Sequence, residues 1–335
     1  MKTVVTGAAG WLGLALLDAL GDAPSSLRCL VRSTEEADLV RSRAPQAETV
    51  MGDVRDPMAL AALFDGGAGA VVVHAASVIH PSDGVREFFD VNVGGTALLL
   101  DEARRAGAGR VVYVSSNSPF GFNPSPDDRF DEDAPYNPYL GYGQSKMEAE
   151  RLVTRAAARG LDTVIVRCPW FYGEHQPQRQ TSFFTMVRRG IFPMCGNGSN
   201  RRSMVYTGNL AQGLVLAARS DDAAGRAYWI ADPEPYRMTE ILDTVKRALT
   251  DEGLSVSARQ VRLPAVTSTI AGLGDKALQS VNRYSAQLHV LSEMSRTIAC
   301  STDRAQRELG YRPEVDLYTG MRRSIRWCLD QGWDI

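Results

Sequence analysis

Five short apolar runs recur through the first half of the chain: Lys2 to Thr6 (KTVVT), Leu27 to Val31 (LRCLV), Ala70 to Val73 (AVVV), Arg110 to Ser115 (RVVYVS) and Thr163 to Arg167 (TVIVR). Each is apolar without alternation at its centre, as strands covered on both faces are. Between them, Leu12 to Leu20, Ala59 to Phe64, Val85 to Ala106 and Tyr142 to Ala158 carry apolar residues at helical spacing. Alternating strand and helix patterns of this length imply right-handed crossovers and a doubly wound parallel α/β sheet. After Pro169 the texture changes to loops rich in Gly, Pro, Asn and Arg, with a helical tail from Asp303 to Asp330. The expected division is a nucleotide-binding domain over 1–168 and a smaller substrate-binding lobe over 169–335, parts of which return to the first domain.

Composition narrows the functions open to such a sheet. With 335 residues, 44% apolar and 23% charged, the chain can bury a large core and has the make-up of an ordinary globular enzyme. A net charge of -2 without a basic run gives no footprint for nucleic acid. The five cysteines, Cys29, Cys168, Cys195, Cys300 and Cys328, are scattered and lack C-x-x-C spacing, so neither a disulfide framework nor a zinc site is expected. His80, His175 and His289 show no metal-ligand spacing either. No apolar run reaches the roughly 20 residues that span a bilayer. The expectation is a cytoplasmic protein with a small-molecule substrate, no metal and no integral membrane segment.

The stretch VVTGAAGWLG places Gly7, Gly10 and Gly13 directly after the first strand and ahead of a helix. A glycine-rich turn there lets the backbone approach a pyrophosphate, while the helix start at Trp11 and Leu12 offers unpaired N–H groups. Glycines also close such turns for packing alone; the position in the first strand-to-helix turn favours a dinucleotide and a Rossmann sheet. The second strand ends in LVRST, so Arg32 stands where NAD-binding folds carry a carboxylate for the ribose. A guanidinium suits a 2'-phosphate, which favours NADP over NAD, unless Arg32 is a solvated surface residue. Asp53, in GDVRD, could accept from the adenine amino group or cap the helix near Pro57, as Asp56 could.

The chemistry is signalled by YGQSK. Tyr142 and Lys146 lie four apart and share one helix face, where the ammonium could favour the phenolate and depress the tyrosine pKa. A tyrosine poised in that way exchanges a proton with a carbinol oxygen while a nicotinamide exchanges the hydride. The strand RVVYVSS brings Ser115 and Ser116 to the carboxyl edge of the sheet, where a hydroxyl can hydrogen-bond the substrate oxygen.

Together these segments resemble the extended short-chain dehydrogenase/reductase family, also called the NAD-dependent epimerase/dehydratase family, over nearly the whole chain. VTGAAGWLG is similar to its T-G-x-x-G-x-x-G loop, and GDVRD, with Asp53 and Val54, to its adenine-side segment. VVVHAAS resembles its nicotinamide-side H-x-A-A at His74, Ala75 and Ala76, and DVNVGGT its helix start at Asn92. The resemblance implies Ser116, Tyr142 and Lys146 as the catalytic set. It places Cys168, Pro169 and Trp170 of VRCPWFYG beside the nicotinamide, although Cys168 stands where proline is common. It also implies a homodimer formed through the helices at Val85 and Tyr142.

Within that family VYTGNLA followed by LAAR is closer to the 3β-hydroxysteroid and sterol 4-carboxylate dehydrogenase branch. Trp170 occupies the place of an Asn that meets the substrate phosphate in many nucleotide-sugar epimerases, and its ring suits an apolar ligand. Arg202, in contrast, stands where those enzymes place an Arg on the diphosphate. Asn117 and Ser118 replace the Asp-Glu that dehydratases carry after the catalytic hydroxyl, which speaks against elimination. The reading is an NAD(P)-dependent oxidoreductase interconverting a secondary alcohol and a ketone; the alternative is a nucleotide-sugar 4-epimerase with retained NAD. A non-catalytic redox-sensing or interaction module would be expected to lose Tyr142 or Lys146. The mildly amphipathic stretch from Leu263 reads as a lid or pocket wall, since its Thr, Ser and Asp content speaks against a membrane-docking segment. Phe183, Phe184, Met186 and Val187 read as lobe core, and His175 as a loop residue that could reach substrate.

Overall fold

A computed structural model describes residues 2–335. The first half runs β1 (Lys2–Thr6), α1 (Trp11–Leu20), β2 (Ser26–Val31), α2 (Thr34–Arg43), β3 (Glu48–Met51), α3 (Pro57–Leu63), β4 (Val71–His74), α4 (Arg86–Phe89), α5 (Thr96–Arg105), β5 (Arg110–Ser116), α6 (Leu140–Ala158) and β6 (Thr163–Cys168). The second half adds short strands β7 (Trp170–Tyr172), β8 (Pro193–Cys195), β9 (Arg201–Arg202), β10 (Met204–Tyr206), β11 (Ala227–Trp229), β12 (Tyr236–Arg237) and β13 (Val261–Leu263). Its helices are α7 (Thr181–Arg188), α8 (Thr207–Arg219), α9 (Met238–Asp251), α10 (Val266–Ser280), α11 (Ala286–Glu293), α12 (Asp303–Glu308) and α13 (Leu317–Asp330).

The central sheet has seven strands in the order β11-β6-β5-β4-β1-β2-β3, and every pairing is parallel. This is the doubly wound Rossmann arrangement, with the order reversing between β1 and β4. The central strands are buried throughout, so their uninterrupted Val and Ile runs face helices on both sides. On one face Leu14, Leu17 and Leu214 of α1 and α8 pack on Val5, Val73 and Val112; on the other, Leu60, Leu99 and Val153 pack on Val4, Val72 and Val111. β11 and α8 belong to the second half yet complete the sheet and one helix layer, so the chain crosses back after leaving at Cys168. A separate core of Phe184, Val187, Ile241, Val245, Met321 and Ile325 lies under α7, α9 and α13.

Three differences from the sequence reading have physical causes. The Val85 to Ala106 pattern is helical but contains a π-helical turn over Asp90–Gly95 between α4 and α5. β3 and β11 sit at the two sheet edges with three or four residues each, too short to show a period. The helical tail is broken between Glu308 and Leu317, so α12 and α13 are separate.

Candidate active site

The chain leaves β1 through Gly7 at φ +74° and enters α1 at Trp11. A Cβ on Gly7 would stand 2.7 Å from the Ala76 nitrogen, and one on Gly13 would stand 2.1 Å from the Gly7 carbonyl oxygen. Backbone therefore packs on backbone, which only glycine permits. Gly10 caps α1 without a side-chain bond, and the first turn holds no acidic residue. The leading amides, Trp11 and Leu12 among them, lack intrahelical partners and sit at the positive end of the helix dipole. This bare cradle at the sheet's carboxyl edge fits the pyrophosphate of a dinucleotide. Trp11 also donates its indole N–H to the Glu174 carbonyl at 2.7 Å, and its ring lies 4.8 Å from that of Phe171.

At the adenine side, Arg32 is half-tied. Its guanidinium reaches Glu36 Oε1 at 2.7 Å while its backbone N–H donates to Glu36 Oε2, and the side chain remains 71% exposed. Asp53 accepts from Arg55 Nε at 2.8 Å and is drawn below the usual carboxylate range, chiefly by that bond. The helix cap is therefore not Asp53 but Asp56, which accepts from Met58 N. Val54 is buried against Gly95. Arg55, which the sequence reading missed, lies within electrostatic reach of Arg32.

His74 is fully engaged in the protein. Thr96 Oγ1 donates to Asn92 O at 2.6 Å, so the His74 Nε2–H must donate to Thr96 Oγ1 at 2.9 Å, and Nδ1 accepts from Thr6 Oγ1 at 2.7 Å. Burial and the Lys146 charge hold this imidazole neutral, with its pKa pulled to about 3. The His74 side chain is thus a cross-link between β1, β4 and α5, and the backbone of Ala75 and Ala76 faces Gly7. Asn92, in the π-helical turn, accepts from Val78 N and Ser77 Oγ and donates to Val78 O and Ser145 Oγ. It pins the Ser77–Val78 loop to α6.

β5 delivers Ser115 and Ser116 to the sheet edge, and α6 crosses above with Tyr142 and Lys146. The Ser115 hydroxyl is buried with no protein partner. Ser116 Oγ meets Asn117 Oδ1 at 3.4 Å and Ser118 Oγ at 3.3 Å. Tyr142 is flanked by the hydroxyls of Ser116 and Ser77, and the Phe88 ring lies 5.6 Å from its own. Burial, followed by the nearby Cys168, pushes its pKa above the ordinary phenol value. The sequence reading expected Lys146 to depress that value. Here the Lys146 ammonium, 2% exposed, donates to Val114 O at 2.7 Å and lies 4.4 Å from the Tyr113 ring centroid. Burial draws Lys146 down to about 8.

Cys168 donates its thiol to Ser115 O at 3.1 Å, and burial pushes it up to about 11. Following Pro169, Trp170 stands edge-on to Phe183 at 5.1 Å, forming an apolar wall with Phe171 and Met321. His175 points away from Tyr142: it bonds Asp18 on α1 at 3.0 Å and lies beside Arg43 on α2. Arg202 is only 8% exposed, donates to Glu293 O at 2.6 Å and faces the Glu293 carboxylate at 3.8 Å. Two groups the sequence did not flag close the site from α4 and the α10–α11 connection: Phe88, and Tyr284, whose rings lie 5.6 Å apart. Ser77 directly follows His74-Ala75-Ala76, and that adjacency was its one available signal.

The sequence profile of the NAD dependent epimerase/dehydratase family matches residues 3–231. The chain belongs to the NAD-dependent epimerase/dehydratase family. It is therefore an enzyme, among relatives that are dehydrogenases, epimerases and dehydratases. It is 45% identical over 342 residues to the y4nL protein of Sinorhizobium fredii, covering 98% of this chain and 95% of that one. It is 30% identical to the 4-hydroxy-2-methyl-3-oxo-4-farnesyl-3,4-dihydroquinoline-1-oxide ketoreductase of Stigmatella aurantiaca, covering 96% and 95%. A 33% identity over 264 residues relates it to the 3β-hydroxysteroid dehydrogenase/Δ5→4-isomerase of Mycobacterium tuberculosis, covering 74% and 69%. Among solved structures, the dTDP-glucose 4,6-dehydratase of Streptomyces venezuelae, with NAD and TYD bound, superposes with a TM-score of 0.78 at 26% identity, covering 100% and 99%. No helix among the described residues is long and apolar enough to cross a membrane, and none of their His, Cys, Asp and Glu side chains form a group of three placed to hold a metal.

Proposed function

We propose that this family member interconverts a secondary alcohol and a ketone on an apolar small molecule, using NADP in preference to NAD. The carrying observation is Arg202: the guanidinium that a diphosphate would need is buried, with Nη2 bonded to the Glu293 carbonyl and the Glu293 carboxylate 3.8 Å from Nη1, and only its Nε is left without a partner. Trp170, walled by Phe183, takes the neighbouring position that a phosphate-binding Asn would hold. A ketoreductase and a 3β-hydroxysteroid dehydrogenase among the relatives agree with an apolar carbonyl substrate.

The Gly7–Gly13 turn and Lys146 would hold the dinucleotide, which would supply the hydride acceptor or donor. Ser116 turns its hydroxyl from Asn117 to the substrate oxygen and shares the charge that develops there. Tyr142, kept as the phenol by burial, gives that oxygen its proton in reduction; in oxidation it takes the alcohol proton as the phenolate, after losing its own proton to solvent. Arg32, with Arg55 beside it, would meet the 2'-phosphate in exchange for Glu36 and Asp53. A homodimer through the helices at Val85 and Tyr142, in a cytoplasmic setting, belongs to the same proposal.

The test offers NADPH and NADH with a panel of apolar cyclic ketones and, separately, UDP-sugars. Consumption of NADPH with the ketones, reduced about 10²- to 10⁴-fold or more by Tyr142→Phe with cofactor affinity kept, is the expected outcome. Epimerisation of a UDP-sugar without net cofactor change would overturn the reading, and an unaltered cofactor preference in Arg32→Asp would remove the NADP part.

A further inference from the structure

Helix α10 is built inside out. Its buried side carries Ser268, Ala271 and Asp275, while Val266, Ile270 and Leu273 face outward, followed by Val281 just past its end. Ile270, Leu273 and Val281 are 63%, 67% and 65% exposed, whereas Asp275 is wholly buried. A helix lying on a core normally does the reverse. Apart from the Ser268 hydroxyl, which is buried without a partner, the inner polar groups are engaged: Asp275 accepts from Gln279 at 2.9 Å and pairs with His289 of α11 at 2.8 Å, and Gln279 accepts from Gly141 N of α6 at 3.0 Å. Rotating α10 to hide its apolar stripe would strip these groups of their partners, so the exposure is imposed by the fold. The aspartate that spoke against a docking segment in the sequence points inward.

Charge says what covers the stripe. From Gly253 to Ser292 the exposed charged residues are Arg259, Arg262, Lys276 and Arg283, with no exposed carboxylate, in a chain whose net charge is -2. Arg262 and Arg283 bracket the helix, and Lys276 lies on it beside Leu273. Pairing two copies through this face would bring like charges together. An apolar stripe rimmed by cations matches an anionic lipid surface, which accepts apolar side chains below its phosphates and attracts the rim. We propose that the outer face of the α10–α11 hairpin docks the enzyme on such a surface. Because Gln279 bonds to the first turn of α6 and Tyr284 packs against Phe88, the docked face lies beside the mouth of the catalytic site. The inference rests on the hairpin and not on the identity of the substrate.

The experiment is flotation of the whole protein with phosphatidylcholine vesicles, with and without phosphatidylglycerol, alongside light scattering of the protein alone. The wild-type protein is expected to float with the anionic vesicles and to bind neutral ones about tenfold less well. Leu273→Asp should abolish binding, and Lys276→Gln with Arg283→Gln should weaken it about tenfold, with dinucleotide affinity unchanged in each variant as a check on folding. Absence of vesicle binding by the wild-type protein would overturn the proposal. So would a concentration-dependent oligomer dispersed by Leu273→Asp, which would assign the face to a second copy.

Discussion

Lys146 carries its charge in a place where water cannot reach it. Burial lowers its pKa to about 8, partly offset by Cys168 and Glu150. Between that value and the ordinary lysine value of roughly 10.4 the unfolded chain holds a proton that the folded chain has lost, so stability rises with pH across the window. The contribution approaches about 1.4 kcal/mol per pH unit; the buried thiols Cys29, Cys168, Cys300 and Cys328, all pushed up by burial, act in the opposite sense above roughly pH 8.5, so the Lys146 part is read as a difference between two proteins. In urea unfolding at pH 8, 9 and 10 the wild-type protein should gain stability relative to Lys146→Met as the pH rises; parallel profiles would contradict it. Ser116, Tyr142 and Lys146 were legible because each lies in a motif whose spacing is local. His74 and His175 were not, because their partners Thr6 and Asp18 lie 68 and 157 residues away in the chain. Nothing within a few residues of either histidine says whether its ring meets a ligand or a neighbouring strand.

At the level of elements, α6 is held by a bond placed one turn beyond Lys146. Tyr142, Lys146 and Glu150 follow one another at spacing four on α6, and Glu150, wholly buried, meets Arg167 of β6 at 2.8 Å. Arg167 also donates to Glu132 O and lies 4.4 Å from the Phe120 ring centroid. Removing one partner leaves a buried charge uncompensated, so Glu150→Ala should cost about 3–5 kcal/mol, read as a large drop in thermal midpoint. Glu150→Ala combined with Arg167→Met should recover much of that loss; if the double variant is as unstable as the single one, packing and not charge sets the cost. The strand cores were legible from their unbroken apolar runs. The π-helical turn was not, since its side chains keep a helical rhythm while Asn92 is shifted into the loop it pins.

For the whole molecule, the sequence conveyed the class of sheet and the place of the site, but not how the second half closes over it. That closure depends on contacts between distant segments: Arg202 with Glu293, and Tyr139 with Ser292. His289 is drawn down by burial but raised overall by the Asp275 bond and by the charges of Glu293 and Asp275; Tyr139, Tyr284 and His80 pack around it. A raised histidine stabilises the fold fully below its unfolded value of about 6.5, and the effect is lost as pH climbs through the higher folded value. Thermal midpoints should therefore fall as the pH climbs above about 6.5, and Asp275→Asn should reduce that dependence. An Asp275→Asn profile parallel to the wild type would place the pH sensitivity elsewhere.

Trp11 gives the molecule an optical gauge of its own. Its indole occupies the first residue of the helix that would receive a pyrophosphate, and its N–H is bonded to Glu174 on the loop that leads into the second half. Reduced nicotinamide absorbs where indole emits, so the light from this side chain should dim when the dinucleotide is seated and shift when the Glu174 bond loosens. Comparing Trp11→Phe with the parent protein would separate its emission from that of the other four tryptophans. Cofactor arrival and the state of the Trp11–Glu174 bond could then be followed in one cuvette, in real time, without a label.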